Sequence, residues 1–473
     1  MNQELIKNDR LLLRVETNNG TLSPYLEKEK AAMRRKTVIL PLFFLLLLAS
    51  TLLAGCSSYV DISNAQNYYR QAQYTKAMSS LQQKAPSILK AQGPIILNYD
   101  LGLLARLSNE YETSNTLLSE SERLIWEAYT QSITANIASF LVNDNTKAYP
   151  GEEYEDVYIN IFKALNYLHL GRSESALVEL RRSIEKQANL RQKYEQQVQK
   201  ISSYSDAQGF ASVETTRYAT SFSTSALAQY LSAIVAQKMG EDNTFYYAIN
   251  QARHAFASQS GLYDFPMPSV FDIEDTPLKD SKARVHLISF TGQAPIKQER
   301  RESVWVSRNN YAQIAYPVLV ERKSAIERVK VSIQGGPTQQ LEKIESISNI
   351  AIDTFKAKSE VIRMKAVTRA MAKAVGIALY DAYTEKDNNV TVFEELLGLI
   401  FRVAQTVSES ADVRSVHFLP SLSWVGYVDL EPGTYTFTYE FLNASGRVVH
   451  SHKVSNLRVT ANSVHLVEAH SPL

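Results

Sequence analysis

Cysteine occurs once in the 473-residue chain, at position 56, while the eight histidines are scattered. A single cysteine excludes an internal disulfide framework and a zinc site built on a cysteine cluster. His450 and His452 alternate on one strand face and would share a metal with His465 only if their strands paired suitably. Exposed or hydrogen-bonded rings are the simpler expectation, so no metal ligand is assigned. The 49 acidic residues leave a glycosidase-like pair open, since pairing lies in space, but no spacing singles one out. Nucleophile elbows, phosphate loops, zinc-binding histidine pairs and glycine-rich dinucleotide turns are missing from the sequence. With 50 Lys+Arg against 49 Asp+Glu, the chain lacks the basic excess of a nucleic-acid-binding protein. Neither nucleic acid nor a cofactor is expected, and no catalytic residue is assigned.

The chemistry that the sequence does support lies at the one sulfur. Arg34-Arg35-Lys36 precede an apolar run, Val38 to Leu53, and small residues follow it, which is the layout of a secretory signal. The run contains Pro41 and is shorter than the roughly 20 residues of a comfortable membrane-spanning helix. Leu53-Ala54-Gly55-Cys56 resembles the bacterial lipobox. That likeness implies cleavage before Cys56, a diacylglyceryl group on its sulfur and an acyl chain on the new amino group. Two or more chains anchor stably where one is marginal. Ser57, rather than Asp, follows the cysteine. The expected location is the outer membrane, lipid-anchored and facing the periplasm. Residues 1–32 are polar and fit no signal, so they read as a non-native upstream extension, with 33–55 as the signal peptide. Positions 1–55 hold 8 basic and 5 acidic residues, leaving 42 against 44 beyond them.

The elements that must carry any further function fall into two halves. Residues 56–260 are rich in Ala, Leu, Tyr and Gln, with apolar residues at helical spacing. Ala65-x₂-Tyr68-x₅-Tyr74-x₂-Ala77-x₃-Leu81 reads as a TPR-like helix pair, with small residues where helices cross. Gly102 with Tyr111-x₂-Ser114-x₃-Leu118, then Ala164-x₂-Tyr167-x₃-Gly171-x₄-Ala176-x₃-Leu180, repeat the theme. Ala233, Gly240, Phe245 and Ala248 give a fourth copy. Such arrays present concave surfaces to partners. Tyr154, Tyr167, Arg181 and Arg182 are the candidate contact residues of this half. Acidic residues at 152–156 suit a first helical turn, and Glu179, Arg181, Arg182 and Glu185 suit ordinary salt bridges along a helix.

Pro, Gly and Ser mark a connector at 261–280. Residues 281–473 read as β-rich, a compact antiparallel sheet or sandwich with a helical pair inserted at about 338–410. Thr291 to Lys297 read as a turn-rich loop in which Lys297 is a contact residue or merely solvated. In the insertion, Ala366, Ala370, Ala374 and Ala378 make a narrow seam, and Lys365, Arg369 and Lys373 form a basic stripe beside it. That stripe would suit an acidic partner, anionic lipid or cell-wall polymer if it is more than a solvated face. Tyr435, Phe437, Tyr439 and Phe441 alternate with polar residues, so one face of their strand should be buried. The expected fold class is therefore α+β multidomain: a TPR-like helical repeat domain followed by a β-sandwich-like domain.

Three groups of residues carry a family likeness. They are Gly151-x₂-Tyr154-Glu155 with the helix pair that follows, Gly292-x-Ala294-Pro295-x-Lys297, and Ala411-Asp412-Val413-Arg414 with Leu419-Pro420. Together they resemble a widespread family of proteobacterial lipoproteins with a repeat-like helical half and a β-rich half, often encoded near penicillin-binding-protein activator lipoproteins. The resemblance implies a part in envelope assembly and supplies no activity or ligand. Two expectations follow. The first is a periplasmic scaffold for an envelope protein, with peptidoglycan contact as an addition. The second is a hydrolase or binding protein acting on cell-wall polymer or polysaccharide from the same anchor.

Overall fold

Four turns set the helical half. In the computed structural model, Ala72, Asn109, Gly171 and Gly240 each take a left-handed φ between 55° and 73°. The next residue in each case donates its N–H five residues back: Gln73 to Tyr68, Glu110 to Ala105, Arg172 to Tyr167 and Glu241 to Ala236, at 2.8–2.9 Å. This is the hydrogen bond of a Schellman turn, which satisfies carbonyls that a helix end leaves open. The model describes residues 60–134, 148–188, 199, 203, 220–279, 281–305, 311–356, 410–473 and most of 358–370.

The turns join helices in pairs. Helices α1 (Ser63–Arg70) and α2 (Tyr74–Gln83) form the first pair, followed by the short α3 (Ala85–Ala91). The second pair is α4 (Pro94–Leu107) with α5 (Tyr111–Thr134), and the third is α6 (Glu153–His169) with α7 (Ser173–Ala188). Helices α8 (Ala226–Met239) and α9 (Asp242–Ser258) complete the set. The small residues sit where the sequence pattern requires close crossing: Ala65, Ala77, Ala164, Ala176 and Ala233 are all buried. At Gly102 an added Cβ would lie 2.9 Å from the Leu118 side chain of α5.

The described strands fall into three sheets. Sheet A has the order β10-β1-β7-β6, from β1 (Ala283–Thr291), β6 (Glu342–Ser346), β7 (Leu422–Leu430) and β10 (Val464–Ser471). Sheet C has the order β5-β4-β8-β9, from β4 (Arg328–Ile333), β5 (Thr338–Gln340), β8 (Gly433–Leu442) and β9 (Val448–Val459). A long hairpin of β2 (Gln293–Trp305) and β3 (Tyr311–Arg322) stands apart from both.

Sheet A is covered on both faces, which explains why every residue of β1 is buried. Ala283, Val285 and Leu287 join Trp424, Val428, Val467 and Ala469 in packing against Val329, Val331, Phe437, Tyr439 and Phe441 of sheet C. On the opposite face, Ile288, Phe290, Val425, Ile344 and Val464 pack into the helical core. The helices that meet this face are the first of each pair. Thus α4, α6 and α8 are buried almost all round, whereas α7 and α9 bury a single stripe. Helices, sheet A and sheet C therefore stack as three layers, and Cys56–Leu473 forms one compact unit.

Several expectations need correction. Sheet A is mixed rather than antiparallel, because the last strand, β10, runs parallel to β1 from Arg284↔Val464 to Thr291↔Ser471. The segment after Gly292 is not a loop: Gly292 alone makes the corner, and a bulge between Gln293 and Ile296 lets β2 accommodate Pro295. The inserted helix begins at 347, since β5 and β6 occupy most of 338–346. Residues 261–280 do not form a bare connector, because Val270, Phe271 and Ile273 enter the core from a 3₁₀ turn, Ser269–Asp275. Ala366 and Ala370 meet Ile314 of the β2–β3 hairpin, whereas Ala374 and Ala378 of the expected seam lie outside the described residues. Among the described residues, no helix is long and apolar enough to cross a membrane.

Gly102→Val forces two methyl groups into the α4–α5 crossing and should cost about 1–3 kcal/mol. Urea unfolding of the variant checks this, and an unchanged midpoint would contradict the close crossing.

Candidate functional site

The three sequence groups that carry the family likeness converge on one buried cluster. Gly151, with φ 75° and a Cβ position 3.0 Å from the Ile125 side chain, turns the chain into α6. Glu155 in the first turn accepts the Glu152 N–H (2.8 Å) and the Tyr149 hydroxyl (2.7 Å). This is one half of a capping box. The second group arrives on β2. At Gly292 (φ 66°) a Cβ would lie 2.3 Å from Ser421 Oγ, so only glycine lets β2 leave sheet A there. Lys297 then points inward, its Nζ 2.7 Å from Glu152 and 4.8 Å from the centre of the Tyr149 ring. The third group is the loop ahead of β7. There Arg414 holds Asp412 with two guanidinium bonds of 2.8 Å, Ser415 Oγ accepts the Lys297 N–H, and the Val416 N–H donates to Glu155. Lys358, from the inserted helical segment, adds a second ammonium to Glu152 at 2.8 Å.

Among the described residues, Glu152, Glu153, Glu155 and Asp412 share this cluster with Lys297, Lys358 and Arg414. The carboxyls crowd together inside a low-dielectric interior. The crowding falls on Glu155. Burial and the neighbouring Glu152 raise its affinity for a proton to about 7, although Lys297, the Glu152 N–H and Tyr149 oppose the rise. Burial also pushes Asp412 upward, but the Arg414 bonds and the Lys297 charge outweigh it and hold that carboxyl below its usual range. Glu152 and Lys297 are each 3% exposed. Buried and paired with one another, these groups form an ionic joint between the elements that carry them.

Further polar ties run along the same helix–sheet interface. Asp100 of α4 accepts the His417 N–H (2.8 Å) and faces its Nδ1 (2.7 Å). Arg106 grips both oxygens of Glu468 on β10 at 2.6 and 2.5 Å, with His169 at 3.1 Å from the same carboxylate. Tyr69 of α1 meets His470 Nε2 at 2.8 Å. Glu345, on the bulge of β6, pairs with no cation among the described residues. It accepts from the Tyr158 hydroxyl (2.5 Å), Ser225 Oγ (2.8 Å) and the Leu227 N–H (3.2 Å) at the start of α8, where the helix dipole favours an anion. Burial nonetheless raises its proton affinity. His286 of β1 lies between Tyr230 (2.9 Å) and Gln237 (3.0 Å) of α8. A small pocket lined by Arg106, Phe162, Phe290, Phe418, Glu468 and His470 lies at this interface.

The candidate contact residues scatter accordingly. Tyr154 and Lys297 are buried and hold the interior, so neither is available to a partner. Tyr167 is half-buried, and its carbonyl accepts the Arg172 N–H of the third turn. Arg181 is exposed, as is Arg182, which reaches Glu179 at 3.2 Å. Glu179 turns mainly inward, to Asn160 (2.6 Å) and Lys163 (3.1 Å). Lys365 is half-buried. Arg369, Lys373, Cys56 and the Leu53-Ala54-Gly55 segment lie outside the described residues. Sequence reasoning missed Lys358, the Asp100–His417 pair, the Arg106–Glu468 pair and Glu345, because each partner is remote in the chain. Among the described residues no group of His, Cys, Asp and Glu could hold a metal ion, and His465 instead meets Ser463 Oγ at 2.7 Å. No protein-family model, curated protein or solved structure matches the chain.

The buried titratable groups set a pH profile. Burial, helped by Arg284 for His286, lowers both His286 and His470 to about 3. These rings stay neutral in the fold while the unfolded chain protonates them, so stability is lost as pH falls from about 6.5 toward 3. Glu155 acts oppositely: its raised proton affinity gives stability that is full below about 4.5 and lost as pH rises through about 7. Glu345, raised by burial as well, acts in the same direction as Glu155, and the two deeply lowered histidines should outweigh this pair. The melting temperature should therefore fall on acidification below about pH 6, and His286→Asn should flatten that slope. An unchanged slope in the variant would show that His286 is not held neutral.

Proposed function

We propose that the chain is a lipid-anchored outer-membrane lipoprotein, acylated at Cys56 and facing the periplasm, that serves as a protein–protein scaffold in envelope biogenesis. In this reading the helical half is a TPR-like array and the packed sheets A and C form a β-sandwich-like module. The observation that carries it is the fourfold recurrence of one turn, at Ala72, Asn109, Gly171 and Gly240, with small residues at matching crossings. Repetition of this kind builds extended surfaces on which partners dock.

Which surface is on offer follows from the layering. The first helices of the pairs are spent on sheet A, so a peptide groove along them is already filled by the chain itself. The second helices remain. Val178 of α7 is 47% exposed, Tyr246 and Tyr247 of α9 are 47% and 65% exposed, and Arg181 and Arg182 flank the first of these. Exposed aromatic and arginine side chains are the residue types that anchor protein interfaces. The reading is of one envelope protein bound on this outer helical face, with peptidoglycan as an additional contact.

A photocrosslinker at position 247 in intact cells should capture a discrete envelope protein, and Arg181→Glu/Arg182→Glu should weaken the capture. Cys56→Ala should release the protein from the membrane fraction. Capture of murein alone, or a membrane fraction unchanged by Cys56→Ala, would contradict the scaffold and the anchor respectively.

A further inference from the structure

Sheet C turns one face to sheet A and the other to solvent, and the two differ in kind. Along β4, Val329, Val331 and Ile333 face inward while Arg328 and Lys330 are exposed. The strand register puts Lys453 beside Thr438 and Arg458 beside Thr434 on the same outward face. With strand spacings of about 4.8 Å and a rise of about 3.4 Å per residue, the four cations, whose β8 partners run from Leu442 to Thr434, spread over a patch of roughly 27 by 10 Å. Arg447, in the β8–β9 turn, is exposed at its edge. Against them, Glu440 on the face lies 3.5 Å from Lys330, and Glu431 at one rim lies 3.4 Å from Lys282. Glu327 lies at another rim. The chain beyond position 55 carries 42 basic against 44 acidic residues, so this local excess is not a reflection of overall charge.

We propose that the outward face of sheet C docks on a bilayer surface bearing anionic phosphate headgroups. Three observations choose this occupant. The face is an open sheet with cations spread across β4 and β9, which fits a broad charged plane better than a single polymer strand. Thr434, Thr436 and Thr438 lie between the cations and supply hydroxyl donors suited to phosphate oxygens. The aromatic residues of β8 alternate inward with Phe437, Tyr439 and Phe441 buried, so the rings on which a glycan would stack are turned away. Lysine and arginine near an anionic leaflet are attracted within a Debye length of its surface. The proposal rests on the anchored reading above, in which the chain already lies within reach of a membrane.

The test uses the full chain carrying Cys56→Ala, so that no acyl group contributes. Arg34→Gln/Arg35→Gln/Lys36→Gln are added so that the basic head beside the apolar run gives no anionic preference. Co-sedimentation is then compared between vesicles of phosphatidylcholine alone and vesicles with about 30% phosphatidylglycerol, and any binding by the apolar 38–53 segment is common to both. The anionic vesicles should bind more strongly, and the gain should vanish at about 0.5 M salt. Lys330→Glu/Lys453→Glu/Arg458→Glu should reduce the gain at least about tenfold, with the corresponding Gln variants intermediate, while Lys76→Glu/Lys90→Glu on the helical layer leaves it unchanged. Thermal unfolding confirms that each variant is folded. Equal binding to both vesicle types, an undiminished gain in the triple variant, or binding to purified murein in place of vesicles would overturn the proposal. Because the acyl chain is absent throughout, this outcome is independent of whether Cys56 is lipidated.

Discussion

Everything in this molecule depends on sheet A being buried on both faces. A sheet with one wet face tolerates alternation of polar and apolar residues; one covered twice does not. A polar side chain that enters the helix–sheet layer is tolerated best where it finds a partner there, because an unpaired buried group costs about 1–3 kcal/mol or more. Arg284 finds Asp429, His286 finds Tyr230 and Gln237, and Glu468 finds Arg106. The partners come from strands and helices far apart in sequence. Their pairing makes the helical and β-rich halves mutually dependent.

The cluster around Glu152 is the most charged expression of this constraint. A buried ion pair is weak evidence of net stability, since desolvation offsets much of the attraction. Its worth here is geometric. Glu152 and Glu155 begin α6, Lys297 lies on β2, Arg414 and Val416 on the loop before β7, and Lys358 on the inserted helix. Each element supplies a charge or donor that the others require, so displacing one element strands the rest. Joining four elements at one ionic point fixes their register more sharply than apolar packing would. The scaffold reading gains from this, because a rigid joint holds the outer helical face and the outer sheet face in a constant relation.

The sequence revealed local features well and long-range ones poorly. The helix pairs were legible because small residues and turns recur in the same order: Gly102, Ala164 and Ala233 fall at helix crossings by pattern alone. The inward face of β8 was legible for the same reason, as a strict alternation through Tyr435 to Phe441. Lys297 was misjudged because a lysine among Pro, Ala and Gly looks solvated, and only Glu152, some 145 residues earlier, makes its burial tolerable. The parallel pairing of β10 with β1 was equally invisible, since strand direction leaves no mark on alternation. The family-like groups were legible as groups. That they meet in space depends on the fold.

The central claim is that the two halves form one cooperative unit through the helix–sheet A interface. Trp126 reports on the helical layer and Trp424 on sheet A. Urea unfolding should be followed in two variants, one keeping Trp126 and the other Trp424 as its sole tryptophan, with Trp305 replaced in both. Coincident midpoints are predicted, and Lys297→Met should lower both together by an amount corresponding to about 3–5 kcal/mol. Separate midpoints, or a loss from Lys297→Met confined to Trp424, would contradict the account.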